Sequence, residues 1–251
     1  MAIGVSRFHL SRAFTSTLGS SLSAYARARR LSRAAEALIA GAPDILAVAL
    51  DTGYGSHEAF TRAFHQQFGV RPEQLRERAD LGGLTLMEPT RLSSSTPSEL
   101  STPRTVRSDA LLIFGLSERH RHTNAGIPAQ WDRFVPHLST IERRVGTDTF
   151  GVICNTDDAG TMDYICGVQV SAFPSTPREF SRLRVPPQMY AVFTHRGHVS
   201  AIGATWQAIW NHGLTDAGLE AADGPTLERY GATFDGRTGN GGFEIWVPVK
   251  A

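Results

Sequence analysis

The stretch from Ile45 to Phe68 consists of a short apolar segment, a glycine turn and a second, capped segment. Ser56 stands at the start of the second segment as an N-cap residue. Phe60, Phe64 and Phe68 recur every fourth residue, which predicts a helix with an aromatic inner face. A short helix, a tight turn and a capped helix are typical of a helix-turn-helix unit, although any small helical bundle shares this periodicity.

Positive charge is concentrated at the start of the chain, although the net charge is only +1. Six arginines and no acidic residue lie between positions 1 and 35. Such a basic block within a balanced protein is typical of a surface that faces phosphates. The alternative is an ordinary basic face in contact with solvent.

A change in composition divides the chain into two predicted domains. Residues 81–103 are rich in glycine, proline, serine and threonine, which predicts a linker between a helical domain at 1–80 and a second domain at 104–251. In the second domain the order strand, helix, strand, strand occurs twice, with helices predicted over Ile127–Val145 and Val199–His212. Two such β-α-β-β units predict an α+β domain with a groove between its halves.

Other classes of protein lack support in the sequence. No apolar run approaches the roughly 18–20 residues of a membrane span, so we expect a cytoplasmic protein without a membrane partner. The two cysteines are expected to be free thiols. Arginines beside His120 and His122 would repel a divalent ion, and the pair His195/His198 lacks a third ligand. We therefore predict neither a metal nor a cofactor.

Several segments of the first domain carry the residues of a known family. Residues 6–14 read SRFHLSRAF, residues 45–54 read ILAVALDTGY, and residues 56–64 read SHEAFTRAF, followed by FGVRP at 68–72. These segments resemble the AraC/XylS-type DNA-binding domain and, with the segment after Tyr25, cover nearly all of residues 4–78. In that family a long helix joins two helix-turn-helix units, and both recognition helices enter the major groove of double-stranded promoter DNA.

The resemblance implies the residues that contact DNA. Arg12 and Arg62 suit a guanine edge or a phosphate, and Glu58 suits cytosine. The arginines between positions 27 and 33 are expected to hold backbone phosphates, which adds affinity without sequence choice. Phe8 either contacts bases or packs in the core of the domain. The expected DNA-binding residues are Phe8, Ser11, Arg12, Arg27, Arg30, His57, Glu58 and Arg62.

The chain departs from the AraC pattern at its start. The family has a further helix and a half before its first recognition helix, whereas this chain begins at the turn into that helix. Leu10 and Phe14 would then lack their packing partners. This pattern indicates a true start upstream of Met1, and a poorly ordered first recognition helix is the alternative.

The second domain resembles another family. Residues 185–193 read VPPQMYAVF, residues 206–210 read WQAIW, residues 227–230 read LERY and residues 243–249 read FEIWVPV. These segments resemble the GyrI-like, or SbmC-type, small-molecule-binding domain. The resemblance implies that Glu244 points into a central pocket with aromatic walls, which suits a lipophilic cation. The alternative for Glu244 is a strand register that exposes it to solvent. The candidate wall residues of this pocket are Trp131, Tyr164, Tyr190, Trp206 and Trp210. For each of them, ordinary packing in the core is the alternative.

Together the two resemblances imply a sequence-specific transcription regulator that responds to a small lipophilic or cationic effector. RNA polymerase is a further partner expected of such a regulator, and no catalytic residue is assigned. One alternative is a hydrolase of reactive small molecules in which Glu244, alone or with Glu228, activates water. Another is a sequestering protein that no longer binds DNA.

Overall fold

The computed structural model describes Phe14 and residues 19–89, 100–121, 126–157 and 160–250. Residues 22–94 form one compact unit, here called the helical unit, and residues 95–251 belong to another, here called the sheet unit. The predicted two-domain organisation, helical and then α+β, is confirmed. Phe8, Ser11 and Arg12 of the expected first recognition helix lie outside the described residues.

The helical unit contains α1 (Leu22–Ile39), α2 (Ile45–Asp51), α3 (His57–Phe68) and α4 (Pro72–Arg78) among its described residues. The side chain of Asp44 accepts hydrogen bonds from the first backbone amides of α2, and Ser56 caps α3 in the same way. Gly69 ends α3 in the left-handed conformation, which glycine adopts without steric cost. The two caps therefore determine where both helices begin, and the predicted Ser56 cap is confirmed.

The aromatic stripe of α3 forms the centre of the helical core. Phe60 and Phe64 are fully buried, and their ring centroids lie 5.4 Å apart. Leu31 and Leu38 of α1 and Leu75 of α4 pack in the same cluster. Burial of these rings against α1 and α4 holds the outer face of α3 in a fixed orientation.

The segment that follows α4 packs against the helical unit, so the predicted linker at 81–103 starts too early. Leu81, Leu84 and Leu86 contact the helical core, and the backbone N–H of Met87 donates to the Ser32 hydroxyl over 2.8 Å. Composition misled the prediction because three leucines spaced among glycines suffice to attach the segment to α1.

The sheet unit is built on one antiparallel sheet of eight strands, in the order β1-β6-β8-β7-β3-β4-β2-β5. Helix α5 (Ile127–Phe134) follows β2, and helix α6 (Ile202–Ala208) follows β6. The strands are β1 (Arg104–Ser108), β2 (Leu111–Arg121), β3 (Arg144–Cys154), β4 (Thr161–Val170), β5 (Ser181–Val185), β6 (Gln188–His195), β7 (Thr226–Tyr230) and β8 (Phe243–Val249).

The sheet confirms the two predicted β-α-β-β repeats. The first repeat is β2-α5-β3-β4 and the second is β6-α6-β7-β8, and they meet where β3 pairs with β7. Trp131 of α5 contacts Tyr230 of β7, with ring centroids 5.4 Å apart, so both helices cover the same face of the sheet. A junction between the repeats therefore lies at the centre of the helix-covered face.

Both helices that the sequence predicted in the sheet unit differ from their predicted lengths. The helix predicted over Ile127–Val145 ends at Phe134, a 3-10 turn containing Pro136 follows, and β3 has begun by Arg144. After α6 the chain forms a π turn over Ile209–Gly213. Such turns often mark functional positions. The short edge strands β1 and β5 were not predicted, because each has two arginines and only one or two apolar residues among its five positions.

No helix in the described part of the chain combines the length and the apolar character needed to cross a membrane.

Candidate functional site

A buried carboxylate, Glu228 of β7, lies at the junction of the two repeats and is only 4% exposed. Its Oε2 atom accepts hydrogen bonds from the hydroxyls of Tyr164, over 2.6 Å, and Tyr230, over 2.9 Å. Its Oε1 atom accepts a hydrogen bond from the indole N–H of Trp206 over 3.2 Å. Glu228, Tyr164, Tyr230 and Trp206 are here called the Glu228 cage. Among the described residues, every hydrogen-bond donor to this carboxylate is a neutral aromatic side chain.

A glycine makes room for the cage. Gly151 of β3 pairs with Glu228 of β7 in the register of the two central strands. A Cβ atom at position 151 would lie 2.1 Å from the Tyr164 hydroxyl oxygen and 2.6 Å from Oε2 of Glu228, well inside contact distance. Sequence reasoning missed Gly151, although a glycine inside a strand often marks a close approach.

Both helices of the sheet unit contribute a tryptophan to the surroundings of the cage. Trp131 of α5 donates its indole N–H to the Tyr164 hydroxyl over 3.3 Å. Trp206 of α6 stacks on Trp210, with ring centroids 6.0 Å apart and planes 10° apart. Because Trp210 lies in the π turn, the position of the indole of Trp206 depends on this irregular part of the helix.

The cage shifts the titration of its members. Burial raises the pKa of Glu228 above its usual value, although hydrogen bonds from Tyr164, Tyr230 and Trp206 act in the opposite direction. Burial, reinforced by the neighbouring Glu228 carboxylate, raises the pKa of Tyr164 and of Tyr230 well above 10. The two phenols therefore remain protonated donors at neutral pH.

The raised pKa of Glu228 predicts a pH-dependent stability. The folded chain binds this proton more tightly than the unfolded chain, so stability falls as pH rises from about the ordinary value of 4.5 through the raised folded value. Glu228→Gln removes this titration, and we expect the variant to gain stability relative to wild type across that interval. Urea unfolding between pH 4.5 and 7.5 measures the difference.

Glu244 provides the matched control, because its pKa is shifted in the opposite direction. Burial raises the pKa of Glu244, but hydrogen bonds from Arg104 and Trp246 and the charges of Arg104 and Arg229 outweigh burial and lower it. The wild type is therefore expected to lose stability relative to Glu244→Gln as pH falls. A Glu228→Gln difference that stays constant with pH would contradict the assigned titration.

The structure corrects the predicted placement of Glu244. Along β8, Phe243 and Ile245 pack in the helix-covered core, so Glu244 and Trp246 project from the opposite face of the sheet. Glu244 is paired with Arg104 over 2.5 Å and keeps 31% of its side chain exposed. The expectation that it lies among the predicted aromatic walls is wrong, because strand register places Glu228 there instead.

The other candidate walls divide between the two faces of the sheet. Trp131, Tyr164 and Trp206 gather around Glu228, and Trp210 stacks behind Trp206. Tyr190 is buried on the opposite face, where its ring centroid lies 5.5 Å from that of Trp246. Effector binding by these five residues stays a prediction.

The helical unit presents the expected DNA-contacting residues on the outer face of α3. His57, Glu58 and Arg62 are exposed. His57, the first residue of α3, has its Nε2 atom 3.1 Å from a carboxylate oxygen of Glu73 on α4. Glu58 and Arg62 are separated by one helical turn, so they project from the same side of α3. Their contact with DNA stays a prediction.

The two arginines expected to bind phosphates differ in their surroundings. Arg27 of α1 is exposed to solvent. Arg30 donates to the backbone carbonyl of Thr52 over 3.5 Å and lies 5.9 Å from the ring centroid of Tyr54. Arg30 therefore stabilises the turn between α2 and α3.

Comparison with known families matches both halves of the chain. Residues 101–250 match the GyrI-like small molecule binding domain. The chain belongs to the GyrI-like family. Residues 1–78 match a helix-turn-helix domain family. The chain therefore combines a GyrI-like domain with the helix-turn-helix domain of an AraC-family transcription regulator.

The relatives of this GyrI-like protein include named transcription regulators. The transcriptional regulator BrlR of Pseudomonas aeruginosa is 30% identical over 147 residues, a match that covers 58% of this chain and 54% of BrlR. The transcriptional regulator Rob of Salmonella typhimurium is 25% identical over 260 residues, covering 98% of this chain and 89% of Rob. The chain thus matches only about half the length of BrlR. Among solved structures, SAV2435 bound to tetraphenylphosphonium covers 59% of this chain and 94% of its own, with 18% identity and a TM-score of 0.49.

Proposed function

We propose that this chain is a one-component transcription regulator whose DNA binding responds to a small lipophilic cation held at Glu228. The observation that carries the proposal is a buried carboxylate whose donors among the described residues are all neutral. An ionised group in such a place is costly unless an opposite charge compensates it. A cation with an apolar body supplies this charge, and its body fits the aromatic side chains around the carboxylate.

The three donors suggest how a ligand reaches the carboxylate. Tyr164 and Tyr230 are 1% and 7% exposed, whereas Trp206 is only partly buried and makes the longest of the three hydrogen bonds. Displacement of Trp206 would free Oε1 for the ligand while both tyrosines keep their bonds to Oε2. Trp206 lies on α6 shortly before the π turn at Ile209–Gly213, where the helical hydrogen bonding becomes irregular.

The proposed output is a change in DNA affinity, with α3 as the element that reads the base edges. A ligand shifts this equilibrium only if it binds the two conformations of the chain with different affinity. Contact with RNA polymerase remains an expectation for the whole protein. In the alternative hydrolase, Glu228 and Glu244 would not act as a pair on one water molecule, because they project from opposite faces of the sheet.

The proposal is tested by selecting genomic fragments that bind the full chain and measuring their affinity with and without tetraphenylphosphonium. This probe is a permanent cation without hydrogen-bond donors, so it tests charge and apolar contact alone. We expect the probe to change the apparent Kd of wild type and of Glu244→Gln, but not of Glu228→Gln. Failure to enrich any fragment would contradict DNA regulation, and an unchanged wild-type Kd would contradict effector control.

A further inference from the structure

We propose a second ligand site, for a small hydroxylated anion bearing a carboxylate or phosphate group, in a cavity of about 500 Å³ beside Arg196 and Arg229. The cavity lies where β6 and β7 end and β8 begins, and Glu228 is not among its lining residues. The proposal is independent of the effector site, because it rests on different side chains of the sheet unit.

The walls of this cavity are polar. Thr194, Glu244 and Arg229 occupy paired positions across β6, β8 and β7, so their side chains form a row on the face opposite the helices. Part of the remaining wall is a glycine turn, in which a Cβ atom on Gly241 would lie 1.7 Å from the carbonyl oxygen of Thr233. The close backbone approach at this turn leaves an opening whose lining includes the hydroxyl-bearing residues Thr194 and Thr233.

Two guanidinium groups in the cavity have N–H groups that make no hydrogen bond to the described residues. Nε and Nη2 of Arg229 both lie 2.7 Å from Oδ2 of Asp148. Its Nη1 lies 3.8 Å from Oε2 of Glu244, which is beyond hydrogen-bond distance. Arg196 is exposed and has neither an ion pair nor a hydrogen bond from its side chain to the parts of the chain that the structure describes.

The two carboxylates of the cavity are already compensated. Asp148 accepts from Arg229, while Glu244 accepts from Arg104 and from the indole N–H of Trp246. Arg104, Arg196 and Arg229 carry three positive charges against the two negative charges of Asp148 and Glu244, so one positive charge remains uncompensated. A guanidinium donates two parallel hydrogen bonds to a carboxylate or a phosphate, so the unused donors of Arg196 and Arg229 select an anion.

The test is calorimetric titration of the full chain at low salt with citrate and, separately, with glucose 6-phosphate. We expect saturable binding of at least one probe, and the probe that binds identifies the carboxylate or the phosphate as the recognised group. Arg196→Gln should weaken binding by roughly tenfold or more, because it removes a charged donor. As Arg196 has no contact to lose among the described residues, this variant is expected to remain folded, which circular dichroism checks.

Two further variants test whether anion affinity changes in the expected direction. Glu244→Gln should strengthen anion binding, because it removes a negative charge from the cavity wall. Arg184→Gln is the matched control, since Arg184 is an exposed arginine of β5 outside the cavity, and it should bind as wild type does. Absence of saturable binding for both probes, equal affinity of Arg196→Gln and wild type, or weaker binding by Glu244→Gln would each overturn the proposal.

Discussion

Gly151→Ala is expected to disrupt the Glu228 cage, lowering the stability of the sheet unit by about 1–3 kcal/mol and abolishing measurable tetraphenylphosphonium binding. The new methyl group would occupy a position 2.1 Å from the Tyr164 hydroxyl oxygen. Gly151 lies on β3, which is paired on both sides by β4 and β7, so its backbone has little room to move away. Urea unfolding and calorimetry with the probe measure the two effects.

Gly203→Ala is the matched control for this substitution. A Cβ atom at position 203 of α6 would meet nothing within 4 Å. Alanine is favoured over glycine inside a helix by roughly 0.5–1 kcal/mol, so this variant should be slightly more stable than wild type and should bind the probe normally. A Gly151→Ala variant as stable as Gly203→Ala and equally able to bind would show that the cage does not depend on the missing side chain.

Arg62→Ala is expected to reduce affinity for a selected DNA fragment by roughly 10- to 100-fold and to relax the choice of base at one position. A guanidinium that contacts a guanine edge contributes about 1–3 kcal/mol of discrimination. Arg62 is exposed on α3, whose opposite face is anchored by Phe60 and Phe64, so its loss should leave the helix in place. Fluorescence anisotropy with the selected fragment and a scrambled fragment measures both effects.

Arg27→Ala gives the contrasting result expected of a phosphate contact. It should weaken binding to both fragments alike and reduce the slope of affinity against salt by about one ion. Arg184→Ala in the sheet unit should change neither quantity. If Arg62→Ala also weakened both fragments equally, α3 would not be reading bases through this side chain.

The helices of the helical unit were predictable because local rules determine them. Ser56 caps α3, Gly69 ends it, and the phenylalanine spacing defines its buried face, all within one stretch of sequence. The attachment of residues 81–89 was not predictable, since it depends on contacts such as Met87 to Ser32 that join positions 55 residues apart.

The candidate effector site shows the limit of sequence reasoning most clearly. The family resemblance indicated a carboxylate among aromatic residues, but Glu228 and Glu244 both lie on strands that contain aromatic and apolar residues. Only the pairing of β7 with β3 shows that Glu228 shares a face with Tyr164 and lies opposite Gly151. A shift of one residue along a strand exchanges the two faces, so sequence alone did not decide between the two glutamates.

Calorimetric titration of wild type, Glu228→Gln and Glu244→Gln with tetraphenylphosphonium tests whether Glu228 holds the cation. We expect binding to wild type, similar binding to Glu244→Gln, and affinity reduced roughly 10- to 100-fold in Glu228→Gln, because the amide removes the buried charge. Full affinity in Glu228→Gln together with a loss in Glu244→Gln would contradict it, and would place the cation on the opposite face of the sheet.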